Sequence, residues 1–250
     1  MTTDDIYRSV MMAEPPDTAS PFEADDREHL FGGIWSRPGL SIRDRRIITL
    51  VCVSDAVDNE AMNAHVYAAL ASGDLAIDEM TEFVLHFAVY CGWPRASDLE
   101  MTVRAQWHRV HETRGDATPE YRELSVDDLG TADPEQRVAE GRALFEEVNL
   151  MGTVSSDSPY FYAGILNFVF GHVWARPGIS RRDRRLITLP AVAVCDAFGP
   201  IWSHVTSALQ SGDLTYDEVR ELAVHVGAYA GRPRAQKLLD VADQWQAQQT

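Results

Sequence analysis

The sequence has few cysteines and lacks both long apolar runs and the alternating pattern of β-strands. Its three cysteines, Cys52, Cys91 and Cys195, form no C-x-x-C pair, which favours a reducing compartment over a disulfide framework. No apolar run approaches the roughly 20 residues of a membrane span, and residues 1–10 carry acids where a secretion signal has an apolar segment. We therefore expect an all-α, soluble and cytoplasmic protein.

The sequence also has too few basic residues for a nucleic-acid partner. The 22 Lys and Arg are outnumbered by 38 Asp and Glu, which gives a formal net charge of −16. Binding to phosphates or to an anionic membrane needs clustered cations, so we expect no nucleic acid and no membrane as a partner. The 250 residues have an ordinary globular composition and suffice for one large domain or for two repeats that share a core.

A prominent feature of the sequence is an internal repeat whose offset stays constant over roughly 70 residues. The string Phe-Gly-x-x-Trp-x-Arg-Pro-Gly occurs at 31–39 and again at 170–178, and Arg-Asp-Arg-Arg follows each time. Such self-similarity indicates two copies of one supersecondary unit, and differences between the copies are where chemistry is to be sought. The matched positions include His65 and His204, 72–75 and 211–214, His86 and His225, and Tyr90 and Tyr229.

Start and stop signals predict four helices in each repeat. Ser41 and Ser180, each followed three residues later by Asp, form capping boxes before an apolar, buried helix. Gly73 and Gly212 end the second helix. The polar, non-periodic stretch after residue 114 predicts a connector. The predicted segments are a first repeat with its leader at 1–114, a connector at 115–134, and a second repeat at 135–250.

Two local predictions concern irregular structure. Pro190 replaces Val51 within the first helix of the second repeat, and proline removes a backbone donor and clashes with the preceding turn. We therefore expect that helix to kink or break near 186–189. The stretches 14–26 and 151–160 are expected to be loops.

The motifs of the repeat, taken in order, resemble the carboxymuconolactone decarboxylase family of the alkyl hydroperoxidase D-like superfamily. They are the string at 31–39, the Arg-rich helix start, the His at 65 or 204, the Ser-Gly-Asp-Leu turn, and the segment at 86–94. The resemblance implies two tandem alkyl hydroperoxidase D-like helical repeats and a homo-oligomer such as a trimer of tandem chains. It also implies decarboxylation of a small carboxylated lactone without a metal or an organic cofactor.

The sequence departs from two patterns of that superfamily. The peroxidase branch carries a C-x-x-C whose second Cys lies four residues before the His, where this sequence has Asp58 and Ala61. Peroxidase chemistry of that type is excluded, because it needs two positioned sulfurs. Decarboxylases of the family resemble Glu-x-x-x-His at the same place, whereas Glu60 stands one position too early here and the second repeat has no acid there.

His65 and His204 are the candidate acid–base groups, because His exchanges protons near neutral pH. Their alternative role is structural, as hydrogen-bonded histidines in a core or an interface. Glu60 joins the catalytic candidates as a carboxylate near His65, or else serves only as a solvated turn residue. Arg45 matches the Arg most typical of the family and would hold a substrate carboxylate, unless it forms a structural ion pair.

Other side chains are candidates for substrate contact. Around the start of the second helix, the first repeat offers polar residues for the lining of a substrate pocket and the second repeat offers apolar ones. The third helix offers a His–Tyr pair on one face. The alternative roles are capping, core packing and a buried hydrogen-bonded pair, respectively. No metal-ligand pattern such as H-E-x-x-H occurs, so no metal is expected. The candidates are Asp58 and Asn63, Phe198 and Trp202, and His86 and Tyr90.

Together these residues predict a cofactor-independent, decarboxylase-like lyase for a small carboxylated or lactone-containing compound, with aromatic-derived compounds included. In the expected mechanism an Arg orients the carboxylate, loss of CO₂ leaves an enolate, and His65 protonates carbon. The polar lining leads us to expect that His65 is more important for turnover than His204. The alternatives are an isomerase or dehydratase that uses the same His, and a non-catalytic oligomeric protein that binds a small molecule.

Overall fold

The computed structural model describes residues 1–18, 20–120, 133–152 and 157–249, and every regular element within these ranges is a helix. The predicted all-α fold is confirmed. No helix in the described ranges is long and apolar enough to cross a membrane. The elements are α1 (Thr3–Met11), α2 (Pro21–Asp25), π-helix π1 (Asp26–Trp35), α3 (Ile42–Ala56), α4 (Asn59–Ser72), α5 (Ile77–Cys91), α6 (Trp93–Arg114), α7 (Pro134–Asn149), π-helix π2 (Tyr160–Val173), α8 (Arg181–Val194), α9 (Phe198–Ser211), α10 (Tyr216–Tyr229) and α11 (Arg232–Ala247).

Helices α3 to α6 recur as α8 to α11, in the same order and at nearly the offset of the sequence repeat. The capping boxes form as expected: the Ser41 hydroxyl accepts from the Asp44 N–H, and the Asp44 carboxylate accepts from the Ser41 N–H, both at 3.1 Å. Gly73 and Gly212 end α4 and α9 with φ of 77° and 74°. The domain boundaries remain a prediction, and 121–132 of the connector lie outside the described residues.

A predicted break of the helix at Pro190 and a predicted loop were wrong, whereas a kink of that helix stays a prediction. Helix α8 is not broken at Pro190 but continues to Val194. Every residue from Asp183 to Val194 is buried, so tertiary packing on all sides outweighs the missing backbone donor. The predicted loop at 14–26 contains α2 and the start of π1, because Ser20 caps α2 and Pro21 occupies its first turn. Of the predicted loop at 151–160, residues 153–156 lie outside the described ranges.

The two repeats share one hydrophobic core. Helices α3 and α8 pack against each other, α5 packs on α8, and α10 packs on α3. Leu50 and Val51 of α3 and Leu186 and Leu189 of α8 are fully buried in the same cluster. The central helix of each repeat is therefore covered by the other repeat within the same chain.

Each repeat provides arginines that bind carboxylates of the other repeat. Arg43 binds Asp183 at 2.6 Å, and Arg182 binds Asp44 at 3.1 Å, so each capping-box acid also receives an Arg from the other repeat. The Arg-Pro-Gly turns make a second reciprocal contact. Arg37 pairs with Glu221 and Arg176 with Glu82.

Glycine is needed in these turns because the partner glutamate lies directly against them. A Cβ at Gly39 would lie 2.9 Å from Cγ of Glu221, and one at Gly178 would lie 2.3 Å from Cγ of Glu82. Gly39 also has a φ of 95°, a conformation that side chains with a Cβ rarely adopt. The motif therefore brings its Arg close to the other repeat.

The two Arg–Glu pairs differ in burial, and we expect them to differ in stability. The Arg176 and Glu82 side chains are both 12% exposed, whereas Arg37 is 41% exposed. Arg176→Ala should lower the free energy of unfolding by about 2–4 kcal/mol, because it leaves a buried carboxylate without its partner. Arg37→Ala, the matched control, should cost about 1 kcal/mol or less. Urea unfolding of both variants measures the difference, and equal losses would contradict it.

Candidate active site

Two buried clusters of aromatic and imidazole rings lie between the repeats, and each is built from both of them. A Trp and a His come from one repeat, and a His–Tyr pair of the third helix comes from the other. Site one comprises Trp35, His65, His225 and Tyr229, and site two comprises Trp174, His204, His86 and Tyr90.

The rings have nearly the same arrangement in both sites. In site one His65 stacks on Trp35 with 6.2 Å between ring centroids, and Tyr229 meets the His65 ring edge-on at 5.7 Å. In site two the corresponding distances from His204 are 6.0 Å to Trp174 and 5.8 Å to Tyr90. The Trp indole N–H donates to the Tyr hydroxyl in each site, at 2.8 and 3.0 Å. The sequence repeat is thus also a repeat of the site.

The His of the third helix is held by hydrogen bonds in each site. Arg45 Nη1 lies 3.4 Å from His225 Nδ1, and since a guanidinium only donates, Nδ1 is the acceptor. The proton of the neutral ring then lies on Nε2, which donates to Thr49 Oγ1 at 2.7 Å. Arg184, His86 and Thr188 repeat this arrangement in site two. These two histidines are fixed in one tautomer by arginines of the other repeat.

The His of the second helix is neutral in both sites. Burial and, secondarily, Arg46 lower the pKa of His65 to about 3. Burial and Arg185 do the same for His204, whose pKa is also about 3. The polar and apolar linings therefore do not give the two imidazoles different pKa values.

A difference between the sites does appear at Nδ1 of these rings. Nδ1 of His65 is buried and has no hydrogen-bond partner. Nδ1 of His204 accepts from Arg185 Nη1 at 3.3 Å, and the same Nη1 donates to Ser207 at 3.0 Å. The position equivalent to Ser207 in the first repeat is Ala68, and Arg46 donates instead to backbone carbonyls of α1 and to Asp74.

Arg45 is fully buried and already has several partners. Its Nη2 donates to the carbonyls of Arg37 and Pro38 and lies 3.4 Å from Glu221. Only its Nε lacks a partner. Arg45 therefore holds the Arg-Pro-Gly turn and His225 in position, and binding a substrate carboxylate would compete with these contacts.

The predicted acids lie on the outside of α4. Glu60 is exposed, and the shifted pKa of His65 has no contribution from it. Asp58 is the N-cap of α4 and accepts from two backbone N–H groups at 3.1 Å. Asn63 bonds to Asn59 and Gln106. The structure thus does not gather these three side chains around His65.

The predicted aromatic wall also lies at the surface. Phe198 is 73% exposed and Trp202 is 47% exposed, both on the first turns of α9. His86 and Tyr90 do lie in a site, but beside His204 and not beside His65.

The sequence prediction missed Trp35, Thr49, His225 and Tyr229 as components of site one. The sequence did contain a signal for these four residues, because each is identical to the residue at the equivalent position of the other repeat. The sequence could not show that each site combines residues of both repeats, because no local pattern indicates which third helix packs against which second-helix His.

A separate pocket of about 320 Å³ lies between π1 and helices α10 and α11. Its lining is mostly apolar, with His29, Arg232 and Gln236 as polar members. It includes Ile34, the neighbour of Trp35, but none of the predicted site residues.

The chain is all-α within the described residues, with a buried His at each contact of the two repeats, and part of its sequence matches a known family. Residues 159–244 match the profile of the carboxymuconolactone decarboxylase family. This segment runs from the start of π2 into α11 and contains His204, His225 and Tyr229. The second repeat therefore matches the family that the motifs of the sequence led us to expect.

Two characterised relatives have similar sequences. One is a 4-carboxymuconolactone decarboxylase of Acinetobacter baylyi, 31% identical over 80 residues that cover 32% of this chain and 59% of the relative. The other is a nitrosuccinic acid decarboxylase of Metarhizium robertsii, 35% identical over 69 residues that cover 28% of this chain and 48% of the relative. The chain thus spans about half the length of these relatives.

The buried neutral histidines make stability depend on pH. A His with a pKa of about 3 when folded and 6.5 when unfolded takes up its proton only on unfolding between those values, so stability falls as pH falls from 6.5 towards 3. At pH 5 this loss is about 2 kcal/mol per ring. We expect His204→Gln to shrink the difference in unfolding free energy between pH 7 and pH 5 by about that amount.

The control for this measurement is His29→Gln, because His29 is exposed. Urea unfolding at the two pH values gives both differences. A His204→Gln protein as acid-sensitive as the parent would show that this ring is protonated in the folded state.

Proposed function

We propose that the protein is a cofactor-independent, decarboxylase-like lyase for a small carboxylated or lactone-containing compound, with His65 as the proton-transfer group. The observation that carries the proposal is the buried, unpartnered Nδ1 of His65. A buried polar atom without a partner is costly and is uncommon outside functional sites. The equivalent nitrogen of His204 is occupied by Arg185, so site one is the more open of the two to a ligand.

The family and the names of two relatives support loss of CO₂ as the reaction. Both names describe decarboxylases, one of a carboxymuconolactone and one of nitrosuccinic acid. Both substrates named are carboxylated, which agrees with a site whose surroundings include the cations Arg45 and Arg46. Fully buried arginines create a positive potential even when their donors are used by the protein.

A bound carboxylate would change the charge state of His65. The ring is neutral in the free protein because of burial and Arg46. An anion beside it favours the imidazolium and raises the pKa, so binding of the substrate brings in a proton. Loss of CO₂ then leaves an enolate, and the imidazolium returns its proton to carbon. Trp35 stacks on the ring and keeps it in place during the transfer.

The alternatives use the same residues and differ in the product. An isomerase or dehydratase would convert the substrate with His65 but release no CO₂. A binding protein would take up a ligand without turnover. A screen of small carboxylated lactones and β-keto acids for both CO₂ release and substrate loss separates the three.

Self-association belongs to the same proposal. The central helix of each repeat is already covered by the other repeat within the chain, so an oligomer is not needed to bury it. Phe198 and Trp202 remain exposed at the start of α9 and are suited to an apolar subunit contact. We propose a homo-oligomer of tandem chains that uses this face, and light scattering at micromolar concentration tests it.

We expect His65→Gln to lower kcat by about 10²–10⁴-fold, because a general acid of that kind contributes this much. His204→Gln is the matched control, since its ring has the same burial and the same stacking partner. It should lower kcat by less than about tenfold. Both variants are compared at equal helicity and equal oligomeric state. A larger loss at His204 would place the chemistry in site two.

Coupling of protonation to binding predicts a pH dependence for kcat/KM. In the free protein His65 is neutral. The reactive complex therefore holds one more proton than the free protein and the ionised substrate hold separately. We therefore expect kcat/KM to fall about tenfold for each unit of pH between 6 and 8. His204→Gln should keep this slope. A flat profile would mean that the imidazolium is not the proton donor.

A further inference from the structure

Two of the three cysteines, which are far apart in the sequence, meet at the contact between the repeats. Cys91 is the last residue of α5, and Cys195 is the C-cap of α8. Their sulfur atoms lie 4.0 Å apart. Cys91 is buried and Cys195 is exposed, so one thiol of the pair is open to solvent and the other is shielded.

We propose that Cys91 and Cys195 are a site of reversible oxidation, at which a hydroperoxide converts the two thiols to a disulfide that links the repeats. A disulfide has an S–S distance of about 2.05 Å, so the sulfurs must approach by about 2 Å. Both residues stand at helix ends, Cys91 as the last residue of α5 and Cys195 as the C-cap of α8.

The two thiols have different acidities, which assigns their roles. The hydrogen bond between the two thiols lowers the pKa of Cys195 to about 7, and Arg95 and Arg234 act in the same direction. The same hydrogen bond, together with burial, raises the pKa of Cys91. Cys195 is therefore the thiolate that attacks, and Cys91 is the thiol that resolves.

The reaction balances with a hydroperoxide as the oxidant. The Cys195 thiolate attacks the distal oxygen, an S–O bond forms, the O–O bond breaks, and the leaving alkoxide takes up a proton as an alcohol. Cys91 then attacks the sulfur of the Cys195 sulfenic acid, an S–S bond forms, and the S–O bond breaks. The hydroxide leaves with the proton of Cys91 as water. An external dithiol reverses the oxidation by exchange.

A metal site is the less fitting use of this cluster. The Asp55 carboxylate lies within 4.8 Å of both sulfurs, but it is bound to Arg95 at 3.1 Å. Only the two thiols of this cluster are then left as ligands, whereas a zinc ion is held by three or four protein ligands.

The remaining cysteine and the other repeat provide controls. Burial raises the pKa of Cys52 to about 12, so this thiol should not react. The positions equivalent to Cys91 and Cys195 in the sequence repeat are Ala230 and Ala56. Alanine is therefore accommodated at both places of the scaffold, and Cys91→Ala and Cys195→Ala should fold.

The disulfide would form beside site two. Tyr90 precedes Cys91, its carbonyl lies 3.4 Å from Cys195 Sγ, and its ring meets His204 edge-on. Site one has no thiol at the equivalent places, so the oxidation would act on one of the two sites.

The test treats the chelator-washed full chain with hydrogen peroxide, followed by thiol counting under denaturing conditions and peptide mapping. We expect the parent to lose two of its three thiols and to yield a Cys91–Cys195 peptide, reversed by dithiothreitol. Cys52→Ala should lose both remaining thiols. Cys91→Ala should give a sulfenic acid at Cys195 that dimedone traps. Cys195→Ala should react with peroxide at least about tenfold more slowly than the parent.

Three outcomes would overturn the proposal. They are a parent that keeps all three thiols, a disulfide that includes Cys52 or joins two chains, and a Cys195→Ala protein that reacts at the parent rate. Far-UV circular dichroism of each variant verifies that it is folded before the thiols are counted.

Discussion

The structure depends on the exchange of arginine–carboxylate contacts between α3 and α8. Asp44 and Asp183 each close the capping box at the start of their own helix and also bind an Arg of the other repeat. Burial raises the pKa of Asp183, but hydrogen bonds from Arg43 and Ser180 outweigh it and leave the pKa lowered. One carboxylate thus links the local start of a helix to the packing of the two repeats.

The use of arginine follows from this geometry. Lys237 is the single lysine among the 22 basic residues. A guanidinium donates in several directions from one plane, whereas an ammonium is a point charge. Arg45 uses this to hold a turn, a glutamate and His225 at once, and Arg185 holds Asp213, Ser207, His204 and a carbonyl of α7. The repeated Arg motif is therefore a structural part of each site.

The sequence predicted the local structure well and the pairing of the repeats poorly. Capping serines and terminal glycines at Ser41, Ser180, Gly73 and Gly212 act through neighbours in the chain, so the helix limits could be read from them. Pro190 does not end its helix, because burial by the other repeat outweighs a local rule. The same reason applies to the site: His65 faces His225 across about 160 residues, and no local rule states that contact.

The inequality of the two sites comes from a single small residue and not from the turn where the repeats differ most. Asp58 and Glu60 are solvated, and Phe198 is exposed, so this turn does not reach the imidazoles. Ser207 does, because its hydroxyl accepts from the Arg185 Nη1 that also contacts His204. Ala68 offers no such acceptor, and Arg46 binds α1 carbonyls instead. The Ser207 hydroxyl is thus the local difference that accompanies the contact of Arg185 with the imidazole nitrogen of His204.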